Sequence, residues 1–348
     1  MTKDRSIYIK NIFYMLVYAF DCLGKPEYEN LDKESFENAQ DLFAWALSMC
    51  ASRLRKKGFY KEYVDRHEDL TTIRGKIDMP SSIRNKIARK QTLACEFDEL
   101  SVNNVFNQIL KTTAMLLIKN GDVGKEHKDS LKAEMHYFSD VDVLEPSSIE
   151  WPTRFQRNNE SYQLPIEICR MVIQDMLPTT DKGDHRLAKE PSDLEMSRLY
   201  EEFIRKYYAK HRPDLHSKRK EIKWALDDDF KGMLPAMETD VYLHKGKDIL
   251  IIDAKYYGRA TQVNYNKRSI HSGNLYQVFT YVKNCQFENE DCRVSGMLLY
   301  AKTNEDIQPD ETYKMHGNQM SVKTLDLNTP FKELARQLDE IAVGYFGR

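Results

Sequence analysis

The sequence predicts a two-domain α/β protein: a helical N-terminal half, residues 1–190, with a β-rich insertion at about 59–97, and a C-terminal half, residues 191–348, with a mixed central sheet flanked by helices. Three observations predict it. At 348 residues the chain is longer than the size at which one core stops growing, roughly 250–300 residues. Hydrophobic spacing switches between helical and strand periods in blocks. Between them, Pro178–Pro191 is polar, broken by glycine and proline and without periodicity, as expected of a linker or exposed loop.

The first half opens on Ile12–Phe20, an apolar run far short of the roughly 18 residues that span a bilayer. No small-residue cleavage site follows it, so a cytoplasmic chain without a membrane segment is expected. Leu42, Phe43, Trp45, Ala46, Leu47, Met49, Cys50 and Leu54 make a broad helical face, and Gly58 is placed to end that helix as a C-cap. From Phe59 the pattern turns to short extended pieces, Phe59–Val64, Ile73–Met79 and Thr92–Phe97, interrupted at Asp69, Gly75 and Pro80. A small sheet or protruding hairpin is expected there. Val105, Phe106, Ile109, Leu110, Thr113, Leu116 and Leu117 then recur at three- and four-residue steps and predict a helix over Asn103–Lys119.

The second half begins with Ser192-Asp193-Leu194-Glu195, which has the form of a capping box. Met196, Leu199, Tyr200, Phe203, Ile204, Tyr207 and Tyr208 follow as one apolar helical stripe. Strand patterns come at Glu221–Leu226, Glu238–His244, Asp248–Lys255 and Gly296–Ala301, with a helix over Asn274–Cys285 ahead of the last. Helix, three strands, helix, strand is the order of an α/β layer.

Composition excludes several classes. Hydrophobic residues at 41% and charged residues at 30% fit neither a disordered nor a membrane chain. A net charge of −2 excludes holding nucleic acid by bulk electrostatics, so any such contact is local or shared with a partner. Cys22, Cys50, Cys95, Cys169, Cys285 and Cys292 form no CxxC pair and read as buried free thiols. The histidines show no zinc spacing, and no serine, histidine and acid arrangement stands out.

Chemistry concentrates between Met237 and Lys255. Two strand-like runs flank a turn at Gly246; folded as a hairpin about that turn, they set Asp240 beside Ile252 or Asp253. Alternation then puts Asp253 and Lys255 on one face and Ala254 on the other. Two acids, one amine and a backbone carbonyl suit phosphodiester hydrolysis. Mg²⁺ needs hard oxygen ligands and keeps several waters, so Asp240, Asp253 and the Ala254 carbonyl would suffice, with Lys255 orienting the attacking water. The competing reading is a sheet-end ion pair of small value, since Asp-x-Lys alone often arises by chance. The apolar run Ile249–Ile252 before Asp253, and Asp240 opposite, weigh for the chemical reading.

Asp240, Asp253-Ala254-Lys255 and Gln277-x-x-x-Tyr281 resemble the Asp…Asp-x-Lys…QxxxY series of the PD-(D/E)xK nucleases, with Thr239 where the eponymous proline would stand and Asp253 where glutamate is common. The chain also resembles the McrC family, the nuclease subunit of the McrBC modification-dependent restriction system. The resemblance is carried by Lys10–Ala19, Ile73–Asp78, Phe97–Leu100 leading to Asn103 and Asn107, Glu195–Tyr200, Pro235–Tyr257 and Asn274–Gln277, in order along the whole chain. It implies a restriction-endonuclease-like C-terminal domain that cuts double-stranded, methylated DNA with Mg²⁺. It also implies a subunit that binds no nucleotide itself but docks on, and stimulates, a hexameric McrB-like AAA+ GTPase. In keeping with this, Gly121-Asp122-Val123-Gly124-Lys125 lacks the spacing of a phosphate-binding loop. By the same analogy the N-terminal half contacts the motor; Arg74 and Lys76 are candidates there, against which stands the reading of solvated loop charges.

Supporting candidates have ordinary alternatives beside them. Gln277 and Tyr281 lie one helical turn apart and could touch a catalytic water or a DNA phosphate, or merely cover the sheet. Glu201 or Glu202 could add a carboxylate, against solvent exposure on the helix face. Arg205–Lys223, extended by Lys255, Arg259, Lys267 and Arg268, could track a DNA backbone or be a solvated surface. Two other functional classes remain open: a regulatory or scaffolding NTPase activator with a vestigial site, and a free-standing RecB-like nuclease.

Overall fold

The computed structural model describes residues 9–20, 31, 34–119, 122–175, 193–228, 232–256, 261–264, 267–302 and 308–347. They form two compact units, residues 43–189 and the combination of 1–42 with 190–348. The expected linker at Pro178–Pro191 and the capping residue Ser192 lie outside the described residues.

Helix α1 (Ile9–Ala19) buries Phe13, Met15, Leu16 and Val17. Its partners come from the second half of the chain. Asn11 Nδ2 donates to the carbonyls of Leu327 and Thr329 at 2.8 and 2.7 Å. Tyr14 stacks on Phe331 with ring centres 4.3 Å apart, and the Tyr18 hydroxyl meets His211 Nε2 at 2.7 Å. This corrects the division expected at residue 190: apolar and aromatic burial draws the first helix into the C-terminal unit.

The other unit starts with most of α2 (Ala39–Lys57), which ends where Gly58 takes φ +92°. Strands β1 (Glu62–Leu70) and β2 (Lys76–Ile77), helix α3 (Met79–Ile87) and strand β3 (Leu93–Ser101) build a three-stranded antiparallel sheet in the order β1-β3-β2, with α3 against it. One expected break is not a break, and another is the start of a helix. Asp69 pairs within β1 opposite Ala94. Pro80 sits in the first turn of α3, where its missing N–H costs nothing, and Asp78 caps that helix through the Ser81 N–H. Gly75 is required: its φ is +67°, and a Cβ there would lie 2.3 Å from the Glu96 carbonyl oxygen. Helix α3 is inverted in its packing. Ser82 and Asn85 face the sheet, bonded to Ala94 and Asp69, while Met79, Ile83 and Ile87 are exposed at successive turns. Helix α4 (Val105–Lys119) buries the predicted Phe106, Ile109, Leu110, Thr113 and Leu117. Helices α5 (Lys125–Met135) and α6 (Gln163–Arg170) lie beyond the sequence expectation.

Helix α7 (Asp193–His211) buries every residue of its predicted stripe. After it come the short antiparallel pair β4 (Glu221–Ile222) and β5 (Met237–Glu238), then β6 (Val241–Lys245), β7 (Asp248–Lys255), the hairpin β8 (Thr261–Asn264) and β9 (Lys267–Ile270), α8 (Ser272–Glu288), β10 (Arg293–Ala301), β11 (Glu311–Met315), β12 (Asn318–Leu325) and α9 (Phe331–Phe346). The five-stranded sheet runs β11-β12-β10-β7-β6 and is mixed: β7, β10 and β12 are parallel, β6 and β11 antiparallel to their neighbours. Helix α8 is the crossover between β7 and β10, as parallel pairing demands. Its Val278, Val282 and Cys285 join Ile249, Ile251, Leu298 and Tyr300 in one core. Gly296 lets α8 approach, since a Cβ there would meet Val282 Cγ2 at 2.7 Å. The residues alternating with these, Leu250, Ile252 and Ala254, are equally buried and lie on the opposite face. The expected strand Glu221–Leu226 shrinks to two residues, and Glu238–His244 is split at Asp240.

Candidate active site

Register does the positioning. Lys245 pairs with Asp248 across the two-residue turn Gly246-Lys247, in which Gly246 alone has positive φ (+61°), the pattern of a type II′ hairpin. Val241 then pairs with Ile252, so Asp240, one residue ahead of β6, stands level with Asp253. The Ala254 N–H donates to Asp240 Oδ2 at 2.9 Å. In extended chain the N–H and C=O of one residue share an edge, so the Ala254 carbonyl opens on the side where Asp240 sits.

Asp253 is carried into the interior by Ile249–Ile252 and is 1% exposed. Its Oδ2 has no hydrogen bond; the Lys255 ammonium lies 2.9 Å away, outside hydrogen-bonding geometry. Lys255 also reaches Gln277 Oε1 at 3.5 Å, and Gln277 Nε2 donates to the Tyr281 hydroxyl at 3.0 Å. Gln277 thus meets Lys255, and Tyr281 reaches it only through Gln277.

Glu201 joins them. It is half-buried on α7, and burial first, then the Asp240 charge, push its carboxyl up to about 7, against Lys255 and Arg219. Arg219 Nη2 stands 3.9 Å from its Oε2. Solvent exposure was the ordinary expectation for this residue; its position beside Tyr200 at the edge of the buried stripe was the signal against it. Glu202 instead pairs with Arg205. Asp240 and Asp253 are also raised, both chiefly by burial; Lys255 opposes this in each, and for Asp253 the Asp240 and Glu201 charges add to it. Three carboxylates share the charge of one buried-side lysine, an excess that a cation would relieve.

The donor chemistry fits a hard divalent cation. A buried carboxylate oxygen held in an ion pair with Lys255, a second carboxylate level with it and a carbonyl at the same edge suit Mg²⁺, which keeps much of its water shell. Among the described residues no group of three His, Cys, Asp or Glu is placed to cage a metal. The basic stretch is partly committed elsewhere: Arg212 and Lys245 pair with Asp214, and Lys218 and Lys220 lie over the Tyr242 ring. Arg259 lies outside the described residues, as do the side chains of Lys267 and Arg268. Cys50, Cys95, Cys169 and Cys285 are buried free thiols as expected, and Cys292 is half-buried; Cys22 is not described. No described helix is long and apolar enough to cross a membrane. In the 43–189 unit, Arg74 lies over the Phe97 ring and pairs with Glu99, and Lys76 pairs with Glu96.

Fold and site define a mixed α/β protein with clustered carboxylates and a lysine at the end of a central strand. The model of the McrBC 5-methylcytosine restriction system component matches residues 4–301, and the chain belongs to that family. It is similar to the type IV methyl-directed restriction enzyme EcoKMcrBC of Escherichia coli K12, 26% identical over 342 residues and 96% of each chain. Its fold resembles a chain of the refined half-complex from the tetradecameric assembly of Thermococcus gammatolerans McrB AAA+ hexamers with bound McrC, at TM-score 0.54 and 18% identity, over 95% of this chain and 75% of that one.

Proposed function

We propose that this chain is the Mg²⁺-dependent DNA endonuclease subunit of a GTP-dependent, methylcytosine-directed restriction complex. The observation that carries this reading is the convergence of Asp240, Asp253 and Lys255 at the end of the β6–β7 hairpin, with Glu201 beside them. It matches the Asp…Asp-x-Lys series of the PD-(D/E)xK nucleases. Asp240, Asp253 and the Ala254 carbonyl would hold Mg²⁺, and Glu201 offers a further carboxylate. When bound, the ion supplies Lewis-acid polarisation of the scissile phosphate. Lys255, anchored by Asp253, donates to the attacking water and offsets negative charge gathering on the phosphate oxygens. Arg219 at the rim adds a positive contact for the DNA backbone.

Family membership and the similarity to an assembly of McrB AAA+ hexamers with bound McrC support a hexameric AAA+ GTPase as the partner that this subunit stimulates. The unit of residues 43–189 is the docking part in this reading. The exposed apolar stripe Met79, Ile83 and Ile87 of α3 supports it, because such a face is unfavourable in water and suits a partner surface.

The test is cleavage of methylated plasmid by the chain with its GTPase partner, GTP and Mg²⁺. Linear or nicked product is expected only with all components present. Cutting without Mg²⁺ would overturn the metal assignment, and cutting without the partner would favour a free-standing nuclease.

A further inference from the structure

The β-rich insertion joins the helices of its unit at two points of the chain, just before β1 and just after β3, where Glu62 and Ser101 form the last pair of the sheet. Among the described residues its elements β1, β2, α3 and β3 pack chiefly on one another, so the stance of this arm is set at its root. Side chains of the helical part grip the chain there. Tyr60, two residues ahead of β1, has both backbone groups taken: its N–H donates to the Tyr162 hydroxyl at 3.1 Å, and its carbonyl accepts from Asn104 Nδ2 at 2.9 Å and from Asn107 Nδ2 at 3.1 Å. Asn107 Nδ2 also donates to the carbonyl of Val102, the residue after β3, at 2.8 Å. One amide on α4 thus ties the chain entering the arm to the chain leaving it. The backbone dictates the direction of each bond. The Tyr60 N–H can only donate, so the Tyr162 hydroxyl accepts there and spends its single proton on Asn107 Oδ1, 2.7 Å away. The two carbonyls can only accept, so they draw Nδ2, and one orientation of the amide serves all three groups.

We propose that Asn107, with Asn104 and Tyr162, is a positioning residue for the partner: this buried polar root holds the arm of residues 62–101 in the one stance in which α3 meets the motor. The consequence for the partner rests on the docking reading of the 43–189 unit, while the grip on the root is independent of it. Asn104, Asn107 and Tyr162 are 4%, 0% and 1% exposed, so none of them touches a partner and any effect on it passes through the arm. Without the amide, the Val102 carbonyl and the Tyr162 hydroxyl proton lose their partners inside the fold, and opening the root to water is what satisfies them. A preset stance favours association because the arm need not be ordered as it binds.

GTPase stimulation measured against chain concentration reads the stance as affinity, because apparent affinity falls with the share of chains that hold the competent form. Asn107→Leu, of similar volume, should raise the half-maximal concentration by about 5- to 10-fold and leave maximal stimulation near wild type. Asn104→Asp keeps the oxygen that accepts from the Asn107 N–H at the start of α4 and loses only the donor to Tyr60, so it should act in the same direction with a smaller shift, and it serves if Asn107→Leu does not fold. Thr113→Val removes a buried hydrogen bond on the same helix away from the root, and should leave the curve in place. An equal shift in Thr113→Val, or none in either asparagine variant, overturns the proposal. The stance itself is read without the partner, by electron–electron double resonance between nitroxides on Lys86→Cys of α3 and Ser130→Cys of α5, both exposed, with Cys22 and Cys292 replaced by serine. One narrow distance distribution is expected with the root intact and a broad one with Asn107→Leu or Asn104→Asp; an unchanged distribution overturns the proposal whatever the GTPase does. If the unaltered chain never stimulates the GTPase, the docking reading fails while the distance measurement still decides the root.

Discussion

On the sheet of the 43–189 unit, several surface charges have an opposite one beside them, although Asp65 and Asp98 face each other across β1 and β3: Arg66 and Arg74 share Glu99 at 3.4 and 3.3 Å, and Lys76 meets Glu96 at 3.4 Å. At the end of β7 in the other unit, Asp240, Asp253 and Glu201 gather around Lys255, with Arg219 at the rim, and all three carboxyls are pushed upward. Both are charges on or beside strands. What separates them is burial: the first group is paired and wet, so it stabilises little, whereas the second crowds three carboxyls around Lys255 and Arg219 partly or wholly out of water, which folding alone does not favour. Buried clusters with perturbed carboxyls concentrate at functional sites, which is the ground the proposed nuclease reading draws on.

The sharpest way to break this contrast is to remove its members. Asp253→Ala and Lys255→Ala should each lower Mg²⁺-dependent cleavage by at least ~100-fold, while the circular dichroism spectrum and stimulation of the partner's GTPase stay near wild type. Parallel loss of cleavage and stimulation would show that the cluster is structural after all.

Ile83→Glu addresses the other unit. Ile83 is exposed, so the fold should tolerate the change, yet a charge in the apolar stripe should weaken stimulation of the GTPase by about 10-fold or more. Stimulation measured against chain concentration reads this directly, and an unchanged curve would remove α3 from the partner surface.

Most of the site was legible because a hairpin register is nearly fixed by its turn. Gly246 between two strand-like runs set Asp240 beside Ile252 or Asp253, the structure's register levels it with Asp253, and the period of two put Lys255 on the face of Asp253. The α7 stripe was legible for the same kind of reason, an unbroken helical period. What was not legible depends on contacts distant in sequence. Nothing local shows that Asn11 caps backbone at Leu327 and Thr329, so the first helix was assigned to the wrong unit. Pro80 read as a break because a proline that ends one element and one that starts the next look alike until Asp78 is seen to cap α3. The burial of Glu201 depends on how α7 meets the sheet edge, which its helical period alone leaves open.

Gly296 tests whether α8 holds Gln277 over the site by packing alone. Gly296→Ala would bring a Cβ within 2.7 Å of Val282 Cγ2 and 2.9 Å of Met320 Sδ, and such overpacking costs about 1–3 kcal/mol. Chemical denaturation should show that loss, with cleavage reduced less than in Lys255→Ala.

The charge excess itself has a pH signature. Glu201 titrates at about 7 in the fold against 4.5 as an ordinary glutamate, so the folded state holds that proton more tightly than the unfolded chain. Its contribution is fully present below about 4.5 and is lost as pH rises toward about 7; the raised Asp253 acts in the same direction. Metal-free thermal midpoints should therefore fall over that window, and Glu201→Gln should flatten the slope. Mg²⁺ competes with these protons, so it should raise the midpoint more at about pH 8 than at about pH 5. A metal effect independent of pH would mean that the ion binds away from these carboxyls.

The smallest effects belong to the neutralised cluster. Lys76 is largely in water, its side chain 82% exposed, and Arg74 rests on Phe97 as much as on Glu99. Lys76→Ala should leave the thermal midpoint within about 1–2 °C of wild type, because an exposed pair is screened and gains little. Arg74→Ala should cost somewhat more, since the guanidinium also covers the ring. If these charges only solvate the sheet, GTPase stimulation is untouched by either change. A stimulation defect without a stability defect would instead mark them as contacts with the motor, and would make the wet, balanced cluster as functional as the buried one.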